Sequence, residues 1–158
     1  MKNIFKTLLI VVFALFSTGC GGGGGSSNSG PVVNLIGTWE YIITTENSIC
    51  DGLAAQGIEI IESLNGDYTK IGNITIDGTG FGIDSHQNCY IKPVYKVSSQ
   101  LQGTVSEMNV NEFKRFVKNA NAGDNTISSI SIDSFTNNKI VETITYTNGV
   151  IAREILIR

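Results

Sequence analysis

The sequence has few of the residues that most catalytic and nucleic-acid-binding sites require. It contains one histidine, His86, and its eleven Lys and Arg residues are spread along the chain. No Gly-x-Ser-x-Gly or His-Glu-x-x-His pattern occurs, and a nucleophile needs a base and a third group that orients the base. A net charge of −3 without a basic patch lacks the electrostatic footprint of a nucleic-acid-binding protein. We therefore expect no enzymatic activity, no cofactor and no nucleic acid.

A long hydrophobic run is also missing. Residues 8–16 are nine consecutive apolar residues behind Lys2 and Lys6, whereas a transmembrane helix needs about 20 such residues. Small residues follow at 17–19, which is typical of a secretory signal peptide. The alternative is a short N-terminal membrane anchor or a buried helix. We expect residues 1–19 to be a cleaved signal peptide, and their removal leaves nine basic against fourteen acidic residues, a net charge of −5.

The stretch Ser17-Thr18-Gly19-Cys20 resembles the signal of bacterial lipoproteins. The resemblance implies cleavage before Cys20 and attachment of lipid, palmitate included, to its sulfur and its new amino group. It also implies that the membrane is a partner of the protein. Gly21 stands where an inner-membrane retention signal would place Asp, which favours the outer membrane and the periplasmic face of the cell envelope. The alternative is a secreted protein with Cys20 free.

The two other cysteines are Cys50 and Cys89. If Cys20 is used otherwise, an even number remains in an oxidising compartment, so we expect a Cys50–Cys89 disulfide. The alternative is a metal site that combines both thiols with Asp84 and His86. We expect no metal.

Glycine and serine fill residues 21–30, a composition that behaves as a flexible coil. Residues 20–34 then comprise the lipidated cysteine and a tether, and residues 35–158 a single β-rich domain. Its first strand alternates, with Trp39, Tyr41 and Ile43 on one face. Further strand-like runs lie at 58–63, 68–76, 90–97, 127–135, 139–147 and 150–157, and three pairs are suited to turns. These pairs are Asn65-Gly66, Asp77-Gly78 and Asn148-Gly149.

The spacing of Val110, Phe113 and Val117 predicts one amphipathic helix over about 109–122, packed as a lid on the sheet, with Asn109 and Glu112 as its cap. The fold class we predict is mainly β, a small antiparallel β-barrel or sandwich of seven to nine strands with this single helix.

The last hairpin predicts the clearest set of interior residues. A two-residue turn at Asn148-Gly149 sets Glu142 opposite Ile155 and Ile144 opposite Arg153, so that Glu142 and Arg153 are diagonal neighbours on the apolar face. The alternative places both groups near a barrel mouth, in contact with water. A three-residue loop at 137–139 would set Ile130 and Ile132 on this same face.

Gly37-Thr38-Trp39 at the start of the first strand resembles small bacterial lipocalin-like lipoproteins. The resemblance implies that Trp39 plugs one end of a barrel, that Arg153, or else Arg158, stacks over it, and that the barrel encloses an apolar cavity.

We accordingly expect a lipid-anchored envelope protein that binds a small apolar or amphipathic ligand. Trp39, Tyr41, Ile144 and Tyr146 would line the interior, and Glu142 and Arg153 would orient the ligand. The alternative is a solid-core module for interaction, adhesion or envelope maintenance. The two hypotheses differ in whether a cavity is present.

Overall fold

The structure is a computed structural model that describes residues 30–63, 71–102, 105–121 and 126–158. The predicted signal peptide, Cys20, most of the tether and the turn at Asn65-Gly66 lie outside these residues. The described part is mainly β, as predicted, with nine strands and one helix. The elements are β1 (Val32–Val33), β2 (Gly37–Glu46), β3 (Ala54–Ser63), β4 (Ile71–Ile83), β5 (Cys89–Gln102), β6 (Met108–Asn109), α1 (Val110–Ala120), β7 (Ile127–Phe135), β8 (Lys139–Tyr146) and β9 (Ile151–Ile157).

Seven of the strands form one antiparallel sheet in the order β5-β4-β3-β2-β9-β8-β7. Ile74 and Ile76 of β4 share a buried cluster with Ile130 of β7, although these strands lie near opposite ends of the sheet. The sheet must therefore curl round a common interior, which gives a β-barrel-like shape. β1 and β6 pair separately as a small second sheet.

The alternation of buried and exposed residues in β2 identifies the face of the sheet that turns inward. Its burial alternates, with Trp39, Tyr41 and Ile43 buried and Ile42 exposed. Successive side chains of a strand point to opposite faces, so a period of two in hydrophobicity fixes which face turns inward. The predicted inner face is confirmed.

The helix begins where its cap predicts. Asn109 Oδ1 accepts hydrogen bonds from the backbone N–H groups of Asn111 and Glu112, each 3.0 Å long. Glu112 Oε2 accepts one in return from the N–H of Asn109 at 2.9 Å, which completes a capping box. Phe113 and Val117 are buried, and the ring of Phe113 lies 5.2 Å from that of Phe135 on β7. The helix therefore packs on the sheet, as predicted.

The predicted disulfide between Cys50 and Cys89 is present, with a Cα–Cα distance of 5.1 Å. It joins the loop after β2 to the first residue of β5. Because both sulfurs are used, neither is available to the alternative metal site with Asp84 and His86. Within the described ranges, no group of three or more metal-ligating side chains occurs.

The predicted turn at Asp77-Gly78 is wrong, because β4 runs unbroken through both residues. The glycine is needed for close packing instead. A Cβ on Gly78 would lie 2.5 Å from the Cα of Gly57 and 2.6 Å from Tyr41 Oη. Such distances are far below van der Waals contact, so only glycine lets the side chain of Tyr41 lie over this part of the sheet.

The predicted register of the last hairpin is also wrong, by one residue. Tyr146 N–H donates to the carbonyl of Val150, which leaves a three-residue loop with Gly149 at a φ of 86°. This is a common hairpin loop with a left-handed glycine at its third position. Ile144 consequently lies opposite Ala152, and Arg153 is exposed opposite Thr143.

The neighbouring loop differs from the prediction as well. Thr136 N–H donates to the carbonyl of Lys139, so the loop has two residues and not three. A β-bulge between Ile132 and Ser134 then shifts the register by one residue. The bulge sets Ile130 opposite Ile144. Ile130 therefore lies on the predicted inner face, although the three-residue loop that was predicted to place it there is not formed.

Candidate functional site

Three glutamates lie on the inner face of the barrel. Glu59 comes from β3, Glu142 from β8 and Glu154 from β9. Glu142 and Glu154 are direct partners across the two strands, and Glu154 is also paired with Ile43 of β2. Glu59 is paired with Trp39 on the other side of β2. We call Glu59, Glu142 and Glu154 the carboxyl cluster.

The carboxyl cluster lies in the barrel interior. Glu59 and Glu142 are each 6 % exposed, and Glu154 retains more accessible surface. Among the described residues, the one buried side-chain atom without a hydrogen-bond partner is Asn73 Oδ1, so no carboxyl oxygen of the cluster is an unsatisfied buried atom. Acidic side chains are nevertheless seldom placed in a protein interior.

Burial raises the pKa values of all three carboxyls above their ordinary value. Burial raises the pKa of Glu59 to about 7. Burial, and then the negative charge of Glu59, raise the pKa of Glu142 to about 8. The pKa of Glu154 is raised well above its ordinary value by burial first, and then by Glu59 and Glu142. A site that shifts several pKa values in one direction is a candidate functional site.

The side chain of Tyr41 lies beside the cluster and reaches from β2 to β4. Its hydroxyl donates to the carbonyl of Thr79 at 2.8 Å and accepts from the N–H of Thr79 at 3.1 Å. Burial raises the pKa of Tyr41, the hydrogen bond from Thr79 opposes that rise, and the charges of Glu154 and Glu59 add to it. The phenol is thus fixed in place, with its ring next to the carboxyls.

Beside the cluster, the side chains of five residues leave only gaps that are too small to admit a water molecule: Ile43, Glu142, Ile144, Ala152 and Glu154. Pockets for drug-sized ligands measure roughly 300–1,000 Å³. The interior next to the cluster is therefore filled by side chains, and two of these five residues are ionisable.

Trp39 lies near the start of β2, in the buried core. It is fully buried, and its indole N–H donates to the carbonyl of Leu35 at 2.8 Å. The guanidinium of Arg158 lies 4.2 Å from the centre of the Trp39 ring, a cation–π contact. Arg158 also donates to the carbonyls of Ile36 at 2.8 Å, Asn34 at 2.6 Å and Asn137. The stacked residue is Arg158, the second candidate, and Arg153 is not involved.

The structure brings together only part of the predicted lining. Glu142 and Ile144 lie together beside Ala152, and Trp39 is paired with Glu59. The charges of Glu154 and Glu59 act on Tyr41. Tyr146 is buried on the same strand as Glu142. Arg153 lies outside, so the predicted interior ion pair with Glu142 is wrong.

Four residues of the site were not predicted from the sequence: Glu59, Glu154, Ile43 and Ala152. Glu59 had a signal, since it alternates with the small Gly57 and the apolar Ile61 along β3. The sequence places Glu154 on the inner face only if the last hairpin has a three-residue loop. The predicted two-residue loop places Arg153 there instead.

Comparisons with known proteins add little to this geometry. No protein-family model and no curated protein matches the chain. Among solved structures, a redesigned β-barrel, mFAP0, bound to DFHBI, is 13 % identical and aligns over 78 % of this chain and 98 % of its own, with a TM-score of 0.33. In the part of the chain that the structure describes, no helix is long and apolar enough to cross a membrane.

Proposed function

We propose that this protein is an exported, lipid-anchored, non-enzymatic component of the cell envelope whose lipocalin-like β domain binds a small amphipathic molecule. The observation that supports binding is the carboxyl cluster on the inner face of the barrel. Glu142 is 6 % exposed and lies beside the apolar Ile43 and Ile144. A ligand would have to displace these side chains, because no gap between them admits a water molecule. Cys20 is the proposed point of attachment to the outer membrane, and the Gly/Ser stretch after it is the tether.

The cluster supports a ligand because acidic side chains are uncommon in a purely structural interior. Replacement of buried ionic groups by apolar ones is often neutral or stabilising. Polar groups that converge on an apolar-walled space are typical of small-molecule sites. The apolar walls Ile43 and Ile144, together with these carboxyls, fit an amphipathic ligand better than a purely apolar one.

The filled interior favours a second candidate. No gap beside the carboxyl cluster admits a water molecule, and a filled core is what a module for interaction, adhesion or envelope maintenance would have. The two candidates make different predictions about the protein as isolated from its own envelope, where a ligand-binding domain carries its ligand and a solid module does not.

Native mass spectrometry of the protein released from its own envelope, with displacement of a fluorescent fatty acid, tests ligand binding. We expect a reproducible mass excess and displacement. The variant Glu142→Gln, which removes one carboxyl of the cluster, should weaken both, whereas Glu46→Gln on the exposed surface of β2 should not. Absence of both a bound molecule and displacement would exclude the ligand-binding function and leave the solid module.

Anchoring is tested by labelling cells with radioactive palmitate. We expect the label in the wild-type chain and in a control variant, Ser26→Ala, within the tether. The Cys20→Ala variant should lose it, because a sulfur and a new amino group at this position are the proposed acceptors. Label that persists in Cys20→Ala would refute the anchor.

A further inference from the structure

The outer face of the sheet carries an apolar patch where β2, β9 and β8 lie side by side. Ile155 of β9 is paired with Ile42 of β2 on one side and with Val141 of β8 on the other. Ile157, two residues further along β9, points to the same face. Ile42 and Ile157 are 39 % and 42 % exposed, and Ile155 and Val141 are partly exposed. We call Ile42, Val141, Ile155 and Ile157 the outer patch.

The outer patch is contiguous and can be reached only through its side chains. Its members are direct or diagonal neighbours across the strands, within reach of one another. Single apolar residues on a surface need no explanation, whereas adjacent ones are typical of an interaction site. Strands β2, β9 and β8 each have a neighbour on both sides in the seven-stranded sheet. A partner therefore packs on the face of these strands and does not extend the sheet.

Two opposite charges flank Ile157 on this face and limit what can pack there. Ile157 is paired with Glu40 of β2 and with Lys139 of β8, and both charged residues are exposed. The order across the three strands is thus acid, apolar, base. A purely apolar partner would bury both charges without compensation, which is costly. A fitting partner offers a base opposite Glu40, an acid opposite Lys139 and apolar surface opposite Ile157.

A second copy of this chain has the required order of side chains. A two-fold axis parallel to β9, lying between two facing sheets, reverses the order of the strands across the contact. Ile157 then faces Ile157 of the second copy, and Glu40 of each copy faces Lys139 of the other. In the neighbouring row, which contains only apolar members of the outer patch, apolar side chains face apolar side chains. Such a contact uses the same surface on both copies and keeps the strands of the two sheets aligned.

We propose that two copies of this chain associate through the outer patch about this axis, with an ion pair between Glu40 and Lys139 on each side of Ile157. The inference goes beyond the proposed function, because it concerns the outer face of the barrel and not its interior. Twisted sheets touch over a limited length. The contact ends before Arg153, the next outward residue of β9 after Ile155, which is exposed. A contact this small is reversible, and we expect a Kd of about 100 μM or below.

Sedimentation equilibrium of the full chain in a density-matched non-ionic detergent measures the association. We expect the wild-type chain to dimerise as its concentration rises. Ile157→Arg should abolish the dimer, because it places two like charges against each other on the axis. Val97→Arg, which changes an exposed residue of β5 outside the outer patch, should leave the dimer intact. A wild-type chain that stays monomeric at about 1 mM, or a dimer that persists in Ile157→Arg, would overturn the inference.

Charge exchange tests the predicted arrangement of the two copies. Glu40→Lys and Lys139→Glu each place like charges in both ion pairs and should weaken the dimer at least about tenfold. An equal mixture of the two variants should associate as a heterodimer, because each pair then joins an acid and a base. The double variant Glu40→Lys/Lys139→Glu should dimerise like wild type.

The outcomes of this exchange can be interpreted without a ligand. Association that neither the mixture nor the double variant restores would show that Glu40 and Lys139 do not face each other, and would overturn the inference. Far-UV circular dichroism of each variant checks its fold, and the comparison of Ile157→Arg with Val97→Arg does not depend on the charge variants. Failure of the dimer leaves the proposed function unaffected, since none of these measurements concerns the barrel interior.

Discussion

Replacement of Glu142 by glutamine should make the protein more stable at alkaline pH and leave it nearly unchanged at acid pH. In the folded chain the pKa of this carboxyl is raised from 4.5 to about 8. Between these values the folded state retains a proton that the unfolded state has lost. Stability therefore falls as pH rises through this window, and the cost is absent below it and complete above it.

The magnitude follows from the shift. A change of about 3.5 units at 1.36 kcal/mol per unit corresponds to about 5 kcal/mol at pH 9 for this one group. That is a large part of the 5–15 kcal/mol typical of a whole domain. Glutamine has nearly the shape of the protonated acid and no charge to lose. The variant should also lower the pKa of Glu154, because Glu142 is one of the charges that raise it.

Urea unfolding followed by tryptophan fluorescence is suited to this test, since Trp39 is the single tryptophan and is fully buried. We expect the free energy of unfolding of wild type to fall from pH 5 to pH 9, and that of Glu142→Gln to fall much less. Glu46→Gln, on the exposed surface, should follow wild type. Parallel curves for wild type and Glu142→Gln, or a wild type whose stability rises with pH, would refute the reasoning.

Three further predictions concern the stability of the structure around the site. Arg158→Ala should lower the free energy of unfolding by about 1–3 kcal/mol, since it removes the contact with Trp39 and hydrogen bonds to backbone carbonyls, whereas Arg153→Ala should have little effect. Loss of the disulfide in Cys50→Ala/Cys89→Ala should cost about 4 kcal/mol in the chain-entropy model, and an unchanged urea midpoint would contradict it. Gly78→Ala should lower the free energy of unfolding by about 1–3 kcal/mol by overpacking against Gly57 and Tyr41. An unchanged melting temperature would contradict this, since it would show that the neighbouring strands move to make room.

The fold was predictable where a local pattern determines it. The period of two in β2 identifies the inner face through Trp39 and Ile43, and Asn109 with Glu112 marks the start of the helix. The last hairpin was not predictable, because a turn at Asn148-Gly149 permits loops of two or three residues. A difference of one residue reverses every side chain of β9.

The site depended on that same register. With the two-residue loop, the inward residue of β9 is the basic Arg153, and the interior would hold a balanced pair with Glu142. With the three-residue loop it is Glu154, and the interior becomes acidic. Glu59 joins the cluster through pairings that no single strand reveals, since β2 lies between β3 and β9 in the sheet. The chemistry of the site is thus a property of the assembled barrel.

The most direct test of the central claim is a ¹³C NMR titration of the glutamate side-chain carboxyls. We expect Glu59 and Glu142 to titrate near pH 7 and pH 8. Midpoints near the ordinary value of 4.5 for both groups would contradict a carboxyl cluster in the barrel interior.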